Sequence, residues 1–391
     1  MTLPLTQRHQ LFDPSPELAG LPAVSPLVFP SGATGWVVTS AQVGREFLAD
    51  TRFSADRARA ESPLPGFKSK PRPGDQQRRS FITMDPPEHT HYRKLLTGQF
   101  TVRRMKLLEP RIGQIVDDHL DSLARQDTPA DLVAHFALPV PSLVICELLG
   151  VDYADRAEFQ SFAKAFVNLT ISDDERFAAR VKAMTFLRNL VEHKRANPDD
   201  ALLSGLIADS DLDDDELTAM TLLLLFAGHE TTAAMLGLGT FALLRHPEQM
   251  SILRADPDLM PGAVDELMRY LSIIGPGIVR VATEDLTLGG AQIQAGQTVV
   301  LATPKANRGN ELTDRPDELD VTRERTQHLA FGHGIHSCLG QQLARTEMRI
   351  GFRRLLDRFP NLALAVPADQ VPLRTDMAIY GVHALPVTWA A

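Results

Sequence analysis

The segment FGHGIHSCLG, residues 331–340, sets one of the chain's two cysteines among three glycines and two histidines. Gly332, Gly334 and Gly340 carry no side chain where something flat or bulky could approach the backbone. The amphipathic stretch LGQQLARTEMRIGFRRLLDRF follows Cys338 directly and brings helix N-terminal N–H groups beside the sulfur, a position that favours a thiolate. A thiolate so placed could be a nucleophile, a zinc ligand or a haem ligand. Zinc usually takes about four ligands with paired cysteines, a set this chain does not supply. A nucleophile needs a base, and His336 is two residues away. The other cysteine, Cys146 in LPVPSLVICELLG, reads as a small buried hydrophobe.

A second chemical feature is AGHETT, Ala227–Thr232, inside a helical stretch expected over about 213–244. Glu230 and Thr231 are costly in mid-helix, because threonine is a poor helix former and a buried carboxylate needs a partner. By itself the segment could be a polar patch at a helix–helix contact. A third is DELMRY, where Glu266 and Arg269 stand three apart and share a helix face. Most such pairs are solvated surface charges. In DPPEHTHYR, His89 and Arg93 stand four apart and also share a face.

The elements that must position these residues are mostly helical. From about 88 to 250, apolar residues recur at spacings of three and four, as in RMKLLEPRIGQIVDDHLDSLA. GWVVTS (35–40) reads as a strand before a helical AQVGREFLAD, and residues 1–30, rich in proline, as an irregular wrapping segment. Between about 279 and 303, alternation around Gly-Gly and Ala-Gly turns predicts a small antiparallel sheet, and AIYGVHALPVTW predicts a C-terminal hairpin. Residues 61–80, with four prolines and two glycines, read as a long loop. With no repeat and no clear linker, the expected architecture is mainly α with a small β region, one domain over 1–391.

With 40 basic and 49 acidic residues interspersed and a net charge of -9, the chain shows no nucleic-acid or anionic-membrane footprint. The apolar run LTAMTLLLLFAG is about 12 residues long where a membrane span needs about 20, so a buried helix is expected. The N-terminus lacks a secretory pattern, and two cysteines are too few for a disulfide framework; a cytoplasmic setting is the expectation.

Phe331, Gly334, Cys338 and Gly340 match Phe-x-x-Gly-x-x-x-Cys-x-Gly, and the chain resembles the cytochrome P450 family from about residue 35 to its C-terminal hairpin. The resemblance implies that Cys338 is the proximal ligand of haem iron, with Phe331 packed beside the sulfur and the glycines making room for the macrocycle. It makes AGHETT the oxygen-binding segment, with Glu230 and Thr231 as acid and alcohol and Ala227-Gly228 where the helix opens to dioxygen. Glu266 and Arg269 become a structural ion pair that locks the haem loop. PDELD at 316–320 departs from the family pattern, which leaves that pair's third partner open between Arg308 and Arg323. His89, Arg93, Arg280 and His336 match the positions that bind haem propionates; family register favours His89 over His91.

The implied reaction is insertion of one oxygen atom from O2 into a C–H bond or a double bond of a hydrophobic small molecule such as a polyketide or a xenobiotic. Glu230 would link Thr231 to solvent for proton supply, and the cofactor, haem b (iron protoporphyrin IX), carries the hard chemistry. Family register places pocket walls at Leu223, Phe226, Ala227, Pro276, Ile278 and Ile379, with lid segments at 61–80 and 155–195. No flavin or iron–sulfur motif is present, so electrons are expected from NAD(P)H through a ferredoxin reductase and a ferredoxin. Arg103, Arg104, Lys106, Arg345, Arg349 and Arg353 form a candidate docking face for an acidic ferredoxin, and the enzyme is expected to be a monomer. A peroxide-driven haem-thiolate enzyme and a non-catalytic haem-thiolate scaffold or sensor are the alternatives; the intact acid–threonine pair disfavours both.

Overall fold

The computed structural model describes residues 5, 7–64, 80–152 and 155–389. Its helices are, in chain order, α1 (Ala41–Ala49), α2 (Glu88–Thr97), α3 (Val102–Ala124), α4 (Pro139–Leu149), α5 (Arg156–Val167) and α6 (Asp173–Ala196). There follow α7 (Leu202–Asp209), α8 (Asp214–Arg245), α9 (Pro247–Ala255), α10 (Met260–Leu271), the short α11 (Thr303–Ala306) and α12 (Gln341–Arg358). The strands are β1 (Arg8–His9), β2 (Asp13–Pro14), β3 (Val24–Val28), β4 (Thr34–Val38), β5 (Phe53–Ser54) and β6 (Ala130–Asp131). They continue with β7 (Ile278–Ala282), β8 (Leu286–Leu288), β9 (Ala291–Ile293), β10 (Thr298–Leu301), β11 (Ala363–Leu364) and β12 (Pro386–Thr388). The chain sorts into two compact units, residues 1–93 with 265–339 and residues 94–264 with 340–391. Each is assembled from two separated stretches of sequence.

The first unit is organised on a sheet of order β3-β4-β10-β7-β5. The 279–303 region supplies the antiparallel pair β7–β10 and the hairpin β8–β9, as its alternation predicts. It is not a separate small sheet, however, because β10 also pairs in parallel with β4. The N-terminal stretch likewise departs from the irregular segment expected: β3 pairs along its whole length with β4. Pro26 obscures that strand in the sequence, yet β3 is the sheet's edge, where a missing N–H is tolerated. Ser40 caps α1 by accepting from Val43 N, and α1 seats Phe47 and Leu48 in a core with Val38, Leu301 and Leu329. Gly44 permits the approach, since a Cβ there would lie 2.8 Å from Leu329 Cδ1.

The second unit is helical around α8. Asp213 and Glu216 form a reciprocal capping box, which starts the helix at about the position expected. α8 is buried almost all round. Its best window has a mean hydropathy of 1.3, apolar enough for a membrane span, but 61% of that window is buried inside the protein. Close packing is set by small residues: a Cβ on Gly228 would meet Ile145 Cδ1 of α4 at 2.8 Å, and one on Gly239 would meet Phe352 of α12 at 2.6 Å. The expected C-terminal hairpin is replaced by a three-stranded sheet of order β11-β12-β6, with one further bridge between Leu373 and Val382. Val387, fully buried between two partner strands, gains more there than in an isolated hairpin. Of the two lid segments expected, 155–195 contributes α5 and α6, whereas 65–79 lies outside the described residues.

Candidate haem and oxygen-activation site

In the first unit, the loop after Leu329 turns on two glycines with φ of +69° at Gly332 and +70° at Gly334. A Cβ on Gly334 would lie 2.4 Å from Leu48 O, so the turn needs glycine for space as well as for conformation. Cys338 N donates to Phe331 O at 2.8 Å, which closes the loop, and the Cys338 side chain is exposed. Phe331 stacks 6.1 Å from His328. Gly340 is the N-cap of α12.

The predicted propionate partners converge on this loop. Arg93 Nη1 donates to Ser337 O at 2.8 Å, next to the thiol. His336 lies 4.1 Å from His89 between ring centroids. Neither ring nitrogen of His89, nor His336 Nδ1, has a hydrogen-bond partner among the described residues, although His89 is buried. On β7, Val279 and Val281 enter the core while Ile278 and Arg280 share the accessible face; Pro276 and Gly277 lead into it. Arg280 Nη1 donates to Val279 O at 2.8 Å.

The electrostatics of this cluster are one-sided. Burial, then the charges of Arg280, His89 and Arg93, push His336 down to about 3, and only Asp85 opposes them. Burial and the same two arginines lower His89. Arg280 is lowered to about 10 by burial and by Arg57, a cation that sequence reasoning did not single out. Arg57 keeps an exposed side chain and has no ion-pair partner among the described residues. Partly buried arginines and unpartnered imidazoles around an exposed thiol suit a planar dianionic ligand with an iron centre, so these residues fit a haem with two propionates. Among the described residues no cluster of three or more His, Cys, Asp or Glu is arranged to hold a metal ion.

Behind the loop, the Glu266–Arg269 pair is buried, unlike most pairs at this spacing. Arg269 donates to Glu266 through Nε (2.7 Å) and Nη2 (2.9 Å), and to the carbonyls of Asn307, Pro316 and Glu318. The third partner is Arg323, whose Nε donates to Glu266 Oε1 at 3.1 Å. Arg308 instead lies over the Tyr270 ring at 3.8 Å and donates to the Tyr270 carbonyl. Asn307 Oδ1 accepts from Leu329 N at 2.7 Å, so the network reaches the start of the thiol loop.

In the second unit, α8 runs without a break through AGHETT. The accessible residues of α8 near the motif include Leu223, Ala227 and Thr231, four residues apart and so on one face, with Phe226 beside them. Thr231 Oγ1 donates to Ala227 O at 2.8 Å. Glu230 is buried and bound to Arg374, 2.7 Å from Nη2 to Oε2. His229 is fully buried, packs edge-on against Phe159 of α5 at 5.7 Å and is held neutral, down to about 4, chiefly by burial. Phe226 packs against Phe166 of α5 at 5.9 Å. Ile379 is buried in the segment that carries Arg374. Cys146 is buried on α4, pushed up to about 12 by burial, as a structural thiol should be.

The candidate docking face is only partly available. Arg349 is paired with Glu109 at 2.6 Å and Arg353 with Asp357 at 2.7 Å, while Arg345 bonds Gln341. Arg104 bonds Gln99. Arg103 and Lys106 are exposed on α3 beside Leu107, which is 74% exposed.

An exposed cysteine in a glycine turn, with arginines around it and a buried Glu–Arg–Arg network behind it, fits the class of haem-thiolate proteins. The family model described as Cytochrome P450 matches residues 37–378. Cytochrome P450-SU2 of Streptomyces griseolus is 44% identical over 381 residues, 97% of this chain and 94% of that protein. The crystal structure of CYP105P1 in complex with filipin I superposes with a TM-score of 0.91 at 41% identity, covering 100% of this chain and 98% of that one. Mycinamicin VIII C21 methyl hydroxylase MycCI from Micromonospora griseorubida, bound to mycinamicin VIII, gives 0.92 at 36% identity over 98% of each chain. The chain belongs to the cytochrome P450 family. It is a monooxygenase that uses haem iron and O2, takes electrons from redox partner proteins and acts on hydrophobic compounds.

Proposed function

We propose that this monooxygenase hydroxylates, or adds oxygen to a double bond of, a large hydrophobic secondary metabolite of the polyketide or macrolide kind. The observation that carries the proposal is the partly accessible apolar stripe Leu223–Phe226–Ala227 leading to Thr231 on the mostly buried helix α8. The ligands seen with two structural neighbours, filipin I and mycinamicin VIII, support that substrate class.

Cys338 would ligate the iron of haem b, and His89, Arg93, Arg280 and His336 would meet the propionates, whose two negative charges would offset the arginines and accept from the imidazoles. The bound group supplies the oxygen-activating chemistry, tuned by the thiolate. The chain's own residues supply protons. Thr231 Oγ1, which donates to Ala227 O, is the hydroxyl placed to pass a proton on the accessible face of α8, and Glu230 connects it to solvent. Electrons come from NAD(P)H through a ferredoxin reductase and an acidic ferredoxin that docks on Arg103, Lys106 and Leu107. The enzyme works as a cytoplasmic monomer, apart from membranes and nucleic acids.

Two measurements test this. Screening macrolides and other polyketides for the low-to-high-spin Soret shift is expected to yield binders; a library that gives shifts only with small aromatics overturns the substrate class. Thr231→Ala is expected to keep consuming oxygen while product per electron falls about 10-fold. Tightly coupled turnover in that variant removes the proton role.

A further inference from the structure

Among the described residues, Glu230 has two polar neighbours that differ in kind. Arg374 Nη2 donates to Glu230 Oε2 at 2.7 Å, and both residues are buried. His229 Nδ1 lies 3.9 Å from Oε1, beyond hydrogen-bond reach, and is neutral at pH 7 because burial lowers it to about 4. The positive charge facing the acid therefore comes from a residue 144 positions away in sequence.

The arm of Arg374 is fixed by the segment that carries it, a strap over 373–383. Leu373 bridges to Val382, and Arg374 N donates to Gly381 O at 2.9 Å. Gly381 leaves room for the arm: a Cβ there would lie 3.3 Å from Arg374 Cδ and 3.3 Å from Ala234 Cβ, one turn beyond Glu230 on α8. The strap's other end is fastened to the end of α5. Ala378 N donates to Val167 O at 2.7 Å, Leu169 N donates to Asp376 O at 2.8 Å, and Asn168 bridges to Met377. A long flexible side chain is thus held at both ends, by backbone pairing at its root and by a carboxylate at its tip.

We propose that Arg374 is a positioning residue for oxygen activation, holding the Glu230 carboxylate in its place on α8 while the strap holds Arg374. This rests on the reading of Glu230 as the proton link to Thr231. Without the guanidinium, Glu230 is a buried carboxylate beside a neutral imidazole, and it must turn away or take up a proton. Proton supply to Thr231 then fails at the productive position. Two electrons and two protons are instead spent on reducing O2 to hydrogen peroxide, which leaves in place of product.

The experiment compares product formed and peroxide released per electron in the holoenzyme and in Glu230→Gln, Arg374→Gln, Arg374→Lys and the Glu230→Gln/Arg374→Gln double variant. Arg374→Gln is expected to lower product per electron about 10-fold with the thiolate-haem CO spectrum unchanged. Lys is expected to restore most of it, and the double variant to be no worse than Glu230→Gln alone. Wild-type coupling in Arg374→Gln, with Glu230→Gln uncoupled, overturns the role of Arg374 and leaves that of Glu230 standing. Wild-type coupling in Glu230→Gln overturns the proton-link reading itself. Losses that add in the double variant, or that Lys does not relieve, mark a structural role and sink the proposal. Should Arg374→Gln not fold, Gly381→Ala displaces the same arm by a few tenths of an ångström; a drop of about 2-fold in coupling is expected, and no change refutes the proposal.

Discussion

The two chemical regions of this protein solve the cost of buried charge in opposite ways. The cluster around the thiol loop collects Arg57, Arg93, Arg280, His89 and His336, with Asp85 as an opposing carboxylate, and leaves imidazole nitrogens without partners among the described residues. α8 buries a single carboxylate and pairs it at once with Arg374. A site completed by an anionic ligand tolerates charges the chain does not balance. Under the proposed function the acid of the second site moves protons, and there the buried charge is balanced internally, by a guanidinium within hydrogen-bond distance.

The largest effect that bears on this contrast is expected from Cys338→Ala. It removes the thiolate while sparing the cations, so haem binds without the reduced-CO band that gives the family its name. A retained band would place the iron ligand elsewhere. Next comes Arg269→Gln, which strips a fully buried Glu266 of its main partner and should cost about 3–5 kcal/mol, read from denaturant melts. A loss below about 1 kcal/mol would mean that Arg323 alone holds the carboxylate.

A smaller effect should come from pH. His336 falls from 6.5 in the unfolded chain to about 3 in the fold, so protonation favours the unfolded state. The corresponding stability is complete above about 6.5 and drains away as pH drops towards 3. Melts of the haem-free protein should show that slope, and His336→Gln should flatten it. The smallest effect concerns Glu347 on α12, whose fully buried carboxyl is pushed well above its usual range by burial, with Oε2 unpartnered. Its neutral form matches the fold, so stability is full below about 4.5 and declines as pH rises. Glu347→Gln should therefore gain about 1 kcal/mol at pH 7 and nothing at pH 4.

Much of the site was legible in the sequence because its requirements are local. A turn that needs two left-handed glycines around a thiol can be read at 332, 334 and 338. The i,i+4 spacing that puts His89 near Arg93, and the capped helix around AGHETT, follow from the period of a helix. The strand β3 was not legible, because Pro26 masks its pattern until the sheet edge beside β4 is known. Nor were the limits of the docking face, since Arg349 looks like other surface arginines until the packing of α3 on α12 brings Glu109 to it.

By itself the sequence determined the family, the glycine turn that carries Cys338, the neighbouring Glu230 and Thr231 in mid-helix and the Glu266–Arg269 helix pair. These depend on residue type and on spacings of a few positions. Only the tertiary structure decided that Arg323 rather than Arg308 completes the buried network, that Arg57 joins the cation cluster, and that Arg374 faces Glu230. Charge has long range and arginine a long reach, so the partner of a buried ion is whichever guanidinium the folded backbone delivers. That choice is made across 57 positions for Arg323 and 144 for Arg374, distances over which no local pattern survives.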